Sequence, residues 1–468
     1  MEEEEALADP VRLPGSFRDP SGHIYSFENR VLRSVSHGAA GEYEASRQTL
    51  NELVTQGMLV DFRELSPEEF GMEQGGNAYV LEHPKLAPWT YPYEWSFSLL
   101  QRAALFHLEL HLYLLERGLS LSDASAYNVQ FQGTEPVFID HLSVRPYRDG
   151  EFWLGHRQFC EQFLNPLLLR AHLDIAHNAW YRGNLEGIAT NDLARLLPMR
   201  SRFGWKVLSN VVLPAYFQKN TTSDREVSFT TEGRRLPLAG LQSMLRQLHT
   251  WIGALRPANT RSTTWANYAS TTTYDDDETT RKKEFIATFI QQSGARTVID
   301  LGCNTGDYSK VSLESGAASV TGFDFDQQTL DKAYSRARAE NLNFLPLYLD
   351  ARNPSPDQGW MQSERSGFRQ RFTADAVLAL AFEHHLAIAH NVPLDQVVEW
   401  ITATAPAGVI EFVPKADPTV VKMLALREDI FPDYTEEAFA AALARSASIT
   451  GRMQVTDSGR TLFSYARD

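Results

Sequence analysis

Two carboxylates flanking a glycine turn carry the clearest chemistry in the sequence. Thr297-Val298-Ile299-Asp300-Leu301-Gly302-Cys303-Asn304-Thr305-Gly306 reads as a short buried strand that empties into a turn and then a helix. Ala318 to Asp324 reads as the next parallel strand, ending in an acid 24 residues after Asp300. Together they form a nucleoside-binding βαβ pattern, in which glycines let the backbone close on the ligand and the second acid takes the ribose hydroxyls. A dinucleotide site would need G-x-G-x-x-G, to seat a pyrophosphate on the helix N-terminus. Here Asp300 stands just before the turn, where it would crowd a pyrophosphate but suits a ligand bearing an ammonium group. Asn304 replaces a middle glycine, and asparagine is among the few side chains that tolerate positive φ.

The pattern D-x-G-x-x-x-G resembles motif I of class I S-adenosylmethionine (SAM) methyltransferases. The resemblance runs over roughly residues 265 to 468. It implies a Rossmann-like sheet, with Asp300, Gly302, Asn304, Gly306 and Asp324 around SAM and Asp350-Ala351 at the adenine amino group. Later strands are expected at Phe344–Leu349, Ala374–Ala381 and Gly408–Pro414, with a late hairpin strand at Arg460–Tyr465. The segment before the first strand often lids the cofactor in this family, so Tyr268 or Tyr274 is expected to touch SAM or to pack in the core.

The loop after the fourth strand faces the methyl group in that fold, which makes Glu383, His384 and His385 the candidate catalytic residues. An imidazole that titrates near neutrality is a suitable base for a hydroxyl nucleophile; packing around the cofactor is the competing reading. No metal site is expected, since only His390 lies near and no cysteine stands at ligand spacing. Cys303, in the glycine turn, reads as structural. Leu380 to Pro393, with Glu411 to Pro418 and Arg427 to Tyr434, resembles a bacterial family that includes the host-specificity nodulation protein NoeA. That likeness implies a bacterial source and leaves the acceptor open; oxygen of a small molecule or glycan is the favoured one.

The N-terminal half has its own constellation. A helix over Phe97–Gly118, with Leu100, Ala104, Leu108, Leu112 and Leu115 on one stripe, precedes Asp123, Asn128 and a strand ending at Asp140. This D-x-x-x-x-N, followed by an acid at a strand end, resembles the catalytic loop and metal-binding Asp of protein kinases and aminoglycoside-type phosphotransferases. There the first Asp orients the acceptor hydroxyl, and the Asn and last Asp hold Mg²⁺ on the nucleotide phosphates. Gly22–Val35 fits a hairpin of a small lobe, Ala40–Gln56 a helix and Ala78–Leu81 a further strand. The departures are substantial: Leu121 stands where a histidine is usual, the last triplet is Asp140-His141-Leu142, and no glycine-rich loop is visible. Arg33 is the best stand-in for the missing strand lysine, although an arginine does not simply replace a lysine. A kinase-like module without phosphoryl transfer is the favoured reading. The alternatives are a small-molecule or glycan kinase using Mg-ATP at Asp123, Asn128 and Asp140, and a helical domain with a coincidental motif.

Length and composition bound these readings. The chain has 468 residues, enough for two or three domains, and 43% hydrophobic residues describe a globular protein. The expected division is an α+β kinase-like domain over 1–258 and an α/β methyltransferase domain over 259–468, joined near Pro257. No apolar stretch reaches the roughly 20 residues of a membrane span, and Met1-Glu2-Glu3-Glu4-Glu5 lacks a signal-peptide pattern. Two cysteines, Cys160 and Cys303, argue against a disulfide framework and for the cytoplasm. A net charge of −15 disfavours a nucleic-acid surface. The local cluster Arg365, Arg369 and Arg371 reads as a solvated face, and the acidic run Asp275–Glu278 as the dipole complement of a helix over Arg281–Ser293. Oligomeric state is not legible.

Overall fold

The computed structural model describes residues 10–27, 30–70, 76–202, 204–212, 236–258, 274–425 and 427–467. Tyr268 and the Thr/Ser-rich run after Pro257 lie outside the described residues, as do Met1–Glu5. Val11–Arg12 (β1), Ile24–Phe27 (β2), Arg30–Ser36 (β3), Arg63–Leu65 (β4) and Asn77–His83 (β5) pair antiparallel in the order β1-β2-β3-β5-β4. Helix α1 (Ala40–Thr55) follows β3 and buries Tyr43, Leu50 and Leu53.

Helix α2 (Phe97–Leu115) is the spine of this half. The expected stripe is buried at Leu100, Ala104, Leu108 and Leu115, while Leu112 is half-buried. His107 and His111 are also buried, so the helix is covered on most sides rather than on one. Each large apolar side chain so buried contributes roughly 1.5–3 kcal/mol. Beyond α2, β6 (Leu119–Leu121) pairs with β9 (Val144–Pro146), and β7 (Val129–Gln132) with β8 (Glu135–Phe138). Short helices run from 156 to 212, and α3 (Leu238–Ala254) returns onto α2, where Gln101 Nε2 donates to Ile252 O and Leu255 O at 2.7 and 3.0 Å.

The C-terminal half opens with α4 (Asp276–Ser293), which begins five residues earlier than the sequence suggested. The acidic run is its first turn, closed by a reciprocal cap in which Glu278 N donates to Asp275 Oδ1 and Asp275 N to Glu278 Oε2. A seven-stranded sheet follows, built from β10 (Thr297–Leu301), β11 (Ser319–Asp324), β12 (Phe344–Tyr348), β13 (Ala376–Ala379), β14 (Ala407–Phe412), β15 (Ser448–Gln454) and β16 (Thr461–Ala466). Its order is β12-β11-β10-β13-β14-β16-β15. The first five strands are parallel, and β16 and β15 run antiparallel. Helices α5 (Asp307–Glu314) and α6 (Gln327–Ala339) cross between the first strands, with α7 (Glu383–His390) after β13 and α8 (Glu436–Ser446) before β15. This doubly wound sheet is the Rossmann-like architecture that the resemblance implied.

The halves share a polar seam. Asp331 Oδ1 and Gln327 Oε1, both from α6, accept from Ser98 N at 2.8 Å and Phe97 N at 3.2 Å, capping the first turn of α2. Gln327 Nε2 donates to Asn178 Oδ1, and Asn178 in turn donates to Tyr93 O and Trp95 O. The solvated-face reading of the arginine cluster is corrected here, because burial against the other half recruits two of its members. The Arg371 side chain is 4% exposed, with all five N–H groups paired: to Glu94 twice, Trp89 O, Ser355 Oγ and Ser366 O. Arg365 lies over the Tyr127 ring, with 4.3 Å to its centroid; of the three, only Arg369 is exposed.

Candidate functional site: an acidic cleft at the strand ends

Strand β10 delivers Asp300 to its C-terminal end, 2% exposed, where Ser309 Oγ from α5 donates to it at 2.6 Å. The turn that follows depends on backbone that only a few residues adopt. Gly302 and Gly306 have φ of 74° and 85°, and Asn304 has 48°, as its tolerance of the left-handed region predicted. A Cβ at Gly306 would stand 2.4 Å from the Phe344 ring, so the turn is held down on β12 by the absence of a side chain.

Strand β11 brings Asp324 beside that turn. Its carboxylate accepts from Asn304 N at 3.1 Å and Asp326 N at 2.9 Å, with the Phe325 backbone a further donor. Burial, partly offset by Ser309 and increased by the charge of Asp324, pushes the Asp300 carboxyl up to about 6. Burial likewise pushes Asp324 up to about 6, against its backbone hydrogen bonds. Among the described residues no cation lies at ion-pairing distance from either acid. The cleft is therefore short of positive charge. It fits a nucleoside carrying ammonium and sulfonium groups, and it would repel a pyrophosphate.

The remaining expected cofactor residues are placed as follows. Asp350, at the end of β12, is bound bidentately by Arg352, at 2.7 Å to each oxygen, and the half-buried Ala351 adjoins it. Against the cost of burial, Arg352 holds that carboxyl low. Tyr274 does not simply lie against the cleft. Its hydroxyl contacts Glu411 Oε1, Lys282 Nζ and Arg460 Nη1, at 2.5, 3.1 and 2.6 Å. These belong to a buried network in which Lys282 pairs with Glu411 at 2.7 Å and Arg460 with Asp417 at 2.7 Å. Burial works against the charged form of Asp417, yet Arg460 holds it at about 2. Lys282 was invisible in the sequence, since it sits in a polar helix and its partner Glu411 comes 129 residues later.

The candidate catalytic residues open α7, directly after β13. Glu383 and His384 are fully buried, whereas His385 is half-buried. Glu383 Oε1 accepts from Val413 N at 2.8 Å and Tyr434 OH at 2.8 Å; Oε2 meets His384 Nδ1 at 3.0 Å. Burial pushes Glu383 up to about 8 and His384 down to about 3, so near neutral pH both are uncharged and one proton lies between them. His385, its ring centroid 4.2 Å from that of His384, is held well below its ordinary value by burial and by the neighbouring histidines. Of the three, Glu383 and His384 are enclosed by protein, and His385 alone is partly exposed.

The polar residues of the N-terminal half also come together, at the inner end of the small sheet. Asn128 Nδ2 donates to both oxygens of Asp123, at 3.3 Å each, and to Asp140 Oδ2 at 3.1 Å. Arg33, on β3, is ion-paired with Asp140 Oδ1 at 2.8 Å and donates to Asp19 Oδ2 at 2.6 Å. Burial and the Asp140 charge push Asp123 up to about 7.

Comparison with known proteins gives the family. No protein-family model matches the chain. Nodulation protein NoeA of Rhizobium meliloti (strain 1021) is 53% identical over 463 residues, spanning 99% of this chain and 97% of that protein. A 61-residue stretch, 12% of this chain, is 44% identical to ribosomal protein L11 methyltransferase of Shewanella putrefaciens, of which it spans 20%. Similar solved structures include the PH0226 protein of Pyrococcus horikoshii OT3, at 18% identity, 43% of this chain, 98% of that one and a TM-score of 0.30. Another is magnesium protoporphyrin IX methyltransferase of Synechocystis PCC 6803, at 17% identity, 41% and 84% coverage and 0.30. WbdD follows at 15% identity, 40% of each chain and 0.28. Likenesses at these TM-scores are too slight to rest the fold on; the strand order and the acidic glycine turn are those of a SAM-dependent methyltransferase. The chain belongs to the family of nodulation protein NoeA.

Proposed function

We propose that the C-terminal half transfers the methyl group of SAM to an oxygen of a small molecule or glycan, and that the protein works in the cytoplasm, a location that its two free, buried cysteines favour. When bound, SAM supplies an already activated methyl group on a sulfonium. The observation that carries the reading is the position of the histidine pair at the head of α7, directly after β13, with Glu383 and Tyr434 behind His384. His385 takes the proton that the acceptor hydroxyl loses as its oxygen bonds to the methyl carbon and the carbon–sulfur bond breaks. His384 and Glu383 hold the neighbouring ring in place. Asp300 and Asp324 balance the cationic ligand, and the adenine end lies toward Asp350 and Ala351.

Incubation of the full chain with methyl-labelled SAM and a panel of saccharides and small hydroxyl compounds tests the reading. Label in an ether or ester of one acceptor, reduced about 100-fold or more in His385→Ala at unchanged SAM affinity, is the expected result for loss of a general base. Equal turnover in His385→Ala would make that histidine structural, and label on nitrogen or carbon would displace the oxygen acceptor.

For the N-terminal half we favour a kinase-like module without phosphoryl transfer. A five-stranded antiparallel sheet with a helix after its third strand, and the meeting of Asp123, Asn128, Asp140 and Arg33, support that reading. The Mg-ATP alternative lacks comparable support, since no glycine-rich loop is visible.

A further inference from the structure

We infer that Arg33 is the resident cation of the Asp123–Asn128–Asp140 cluster, a covalently tethered guanidinium where a phosphotransferase would hold a divalent metal ion. The inference deepens the reading of the N-terminal half and is independent of methyl transfer. Three features of the geometry carry it.

The first is the state of Asp140. Oδ1 is ion-paired with Arg33 Nη2 at 2.8 Å and accepts from Leu142 N at 3.3 Å, while Oδ2 accepts from Asn128 Nδ2 at 3.1 Å. Each oxygen already faces an N–H donor. The second is the orientation of Asn128. Its NH₂ group is turned toward three carboxylate oxygens, those of Asp123 and Oδ2 of Asp140. The reverse orientation would set the amide oxygen against the same carboxylates. An amide can ligate a metal only through its oxygen, so the orientation that satisfies the acids turns the ligating atom away.

The third is how tightly Arg33 is held. Its side chain is 8% exposed, and the same Nη2 that meets Asp140 also donates to Asp19 Oδ2 at 2.6 Å. Asp19 lies in the connection between β1 and β2, which folds over the cluster; Oδ1 of that residue is fixed by Ser21 N at 2.8 Å. Three residues on, Gly22 presses its backbone on β3 so closely that a Cβ would stand 1.8 Å from Ser34 O. The covering loop therefore delivers a second carboxylate to the guanidinium by packing. Arg33 Nε is buried without a partner, a cost that two carboxylates on the neighbouring nitrogen offset. Among the described residues, no set of three His, Cys, Asp or Glu side chains gathers as a metal site.

Titration of the full chain with Mn²⁺, alone and with ATP, read by loss of the free-ion paramagnetic resonance signal beyond that of the same solution without protein, tests the assignment. Wild type is expected to take up no stoichiometric Mn²⁺ in either titration. Arg33→Met, which leaves the carboxylates and removes the charge, is expected to gain one Mn²⁺ per chain at least tenfold more tightly, and to lose it again when Asp140→Asn is added. Stoichiometric Mn²⁺ on wild type that disappears in Asp140→Asn would overturn the inference. So would an Arg33→Met chain that melts cooperatively yet takes no Mn²⁺. The wild-type titrations decide the matter even where Arg33→Met does not fold. Mn²⁺ uptake by wild type without phosphate released from ATP would refute the resident cation and leave the absence of phosphoryl transfer standing.

Discussion

The two halves each gather acids at the inner ends of strands, and they treat the charge in opposite ways. Around Asp140, a guanidinium 2.8 Å away and an amide 3.1 Å away satisfy the carboxylate from within the protein. Around Asp300 and Asp324, the partners are a hydroxyl and backbone N–H groups, with no cation in contact among the described residues. An acidic cluster is thus a statement about a ligand only when its charge is left open. The C-terminal acids hold no cation among the described residues, whereas the N-terminal ones already share a guanidinium. The Lys282–Glu411–Tyr274–Arg460–Asp417 network stands with the N-terminal cluster in this respect, since its charges are internally paired.

The comparison can be broken most forcefully at the seam. Arg371→Met leaves Glu94 buried and unpaired, and the expected loss is about 3–5 kcal/mol in urea unfolding of the full chain; a loss below about 1 kcal/mol would mean that the halves do not depend on this contact. Next comes the cleft itself. Asp324→Ala should weaken SAM binding about 100-fold by calorimetry, whereas Asp140→Ala should leave it within about twofold, because only the first acid stands beside the glycine turn. Equal losses would erase the distinction between the two sites.

A smaller effect is expected from pH. Asp300 and Asp324 titrate near 6, and a cationic ligand prefers their ionised forms, so SAM affinity should hold from pH 8 to 7 and fall as pH drops through about 6. Affinity that is flat to pH 5 would remove the carboxylates from the binding step. A second pH effect, on stability rather than binding, lies at Glu383. Its carboxyl is raised to about 8 in the folded state from an ordinary 4.5, so the folded form keeps a proton that the unfolded chain has lost. That contribution to stability is complete below about 4.5 and is lost as pH rises to about 8. Glu383→Gln mimics the protonated acid and should gain on wild type across that window, then run parallel above it. Melting curves that stay parallel from pH 5 to 8 would show that Glu383 is ionised throughout.

Much of the C-terminal half was legible because its strands are short apolar runs bounded by turns, buried on both faces. The positions of Asp300, Gly302, Gly306 and Asp324 followed from spacing alone. Strand β15 was not foreseen: it lies at the sheet edge, mostly exposed, so Ser448–Gln454 has no apolar run to announce it. The arginine cluster was misjudged for a related reason. Nothing near residue 371 shows that Glu94 waits 277 residues upstream, and a charge pattern reads as solvated until tertiary contact buries it. Lys282 and Arg460 escaped in the same way. In the N-terminal half the spacing of Asp123, Asn128 and Asp140 was visible, and so was Arg33. What spacing could not express is that Arg33 and Asp19 close on Asp140 from another part of the chain.

Calorimetric titration of the full chain with SAM, set beside the same titration with NAD, tests the central claim most directly. The account predicts saturable binding of one SAM per chain, lost in Asp324→Ala, and no binding of NAD, whose pyrophosphate would meet Asp300 and Asp324. Binding of NAD in preference to SAM, or SAM binding that survives Asp324→Ala undiminished, would contradict it.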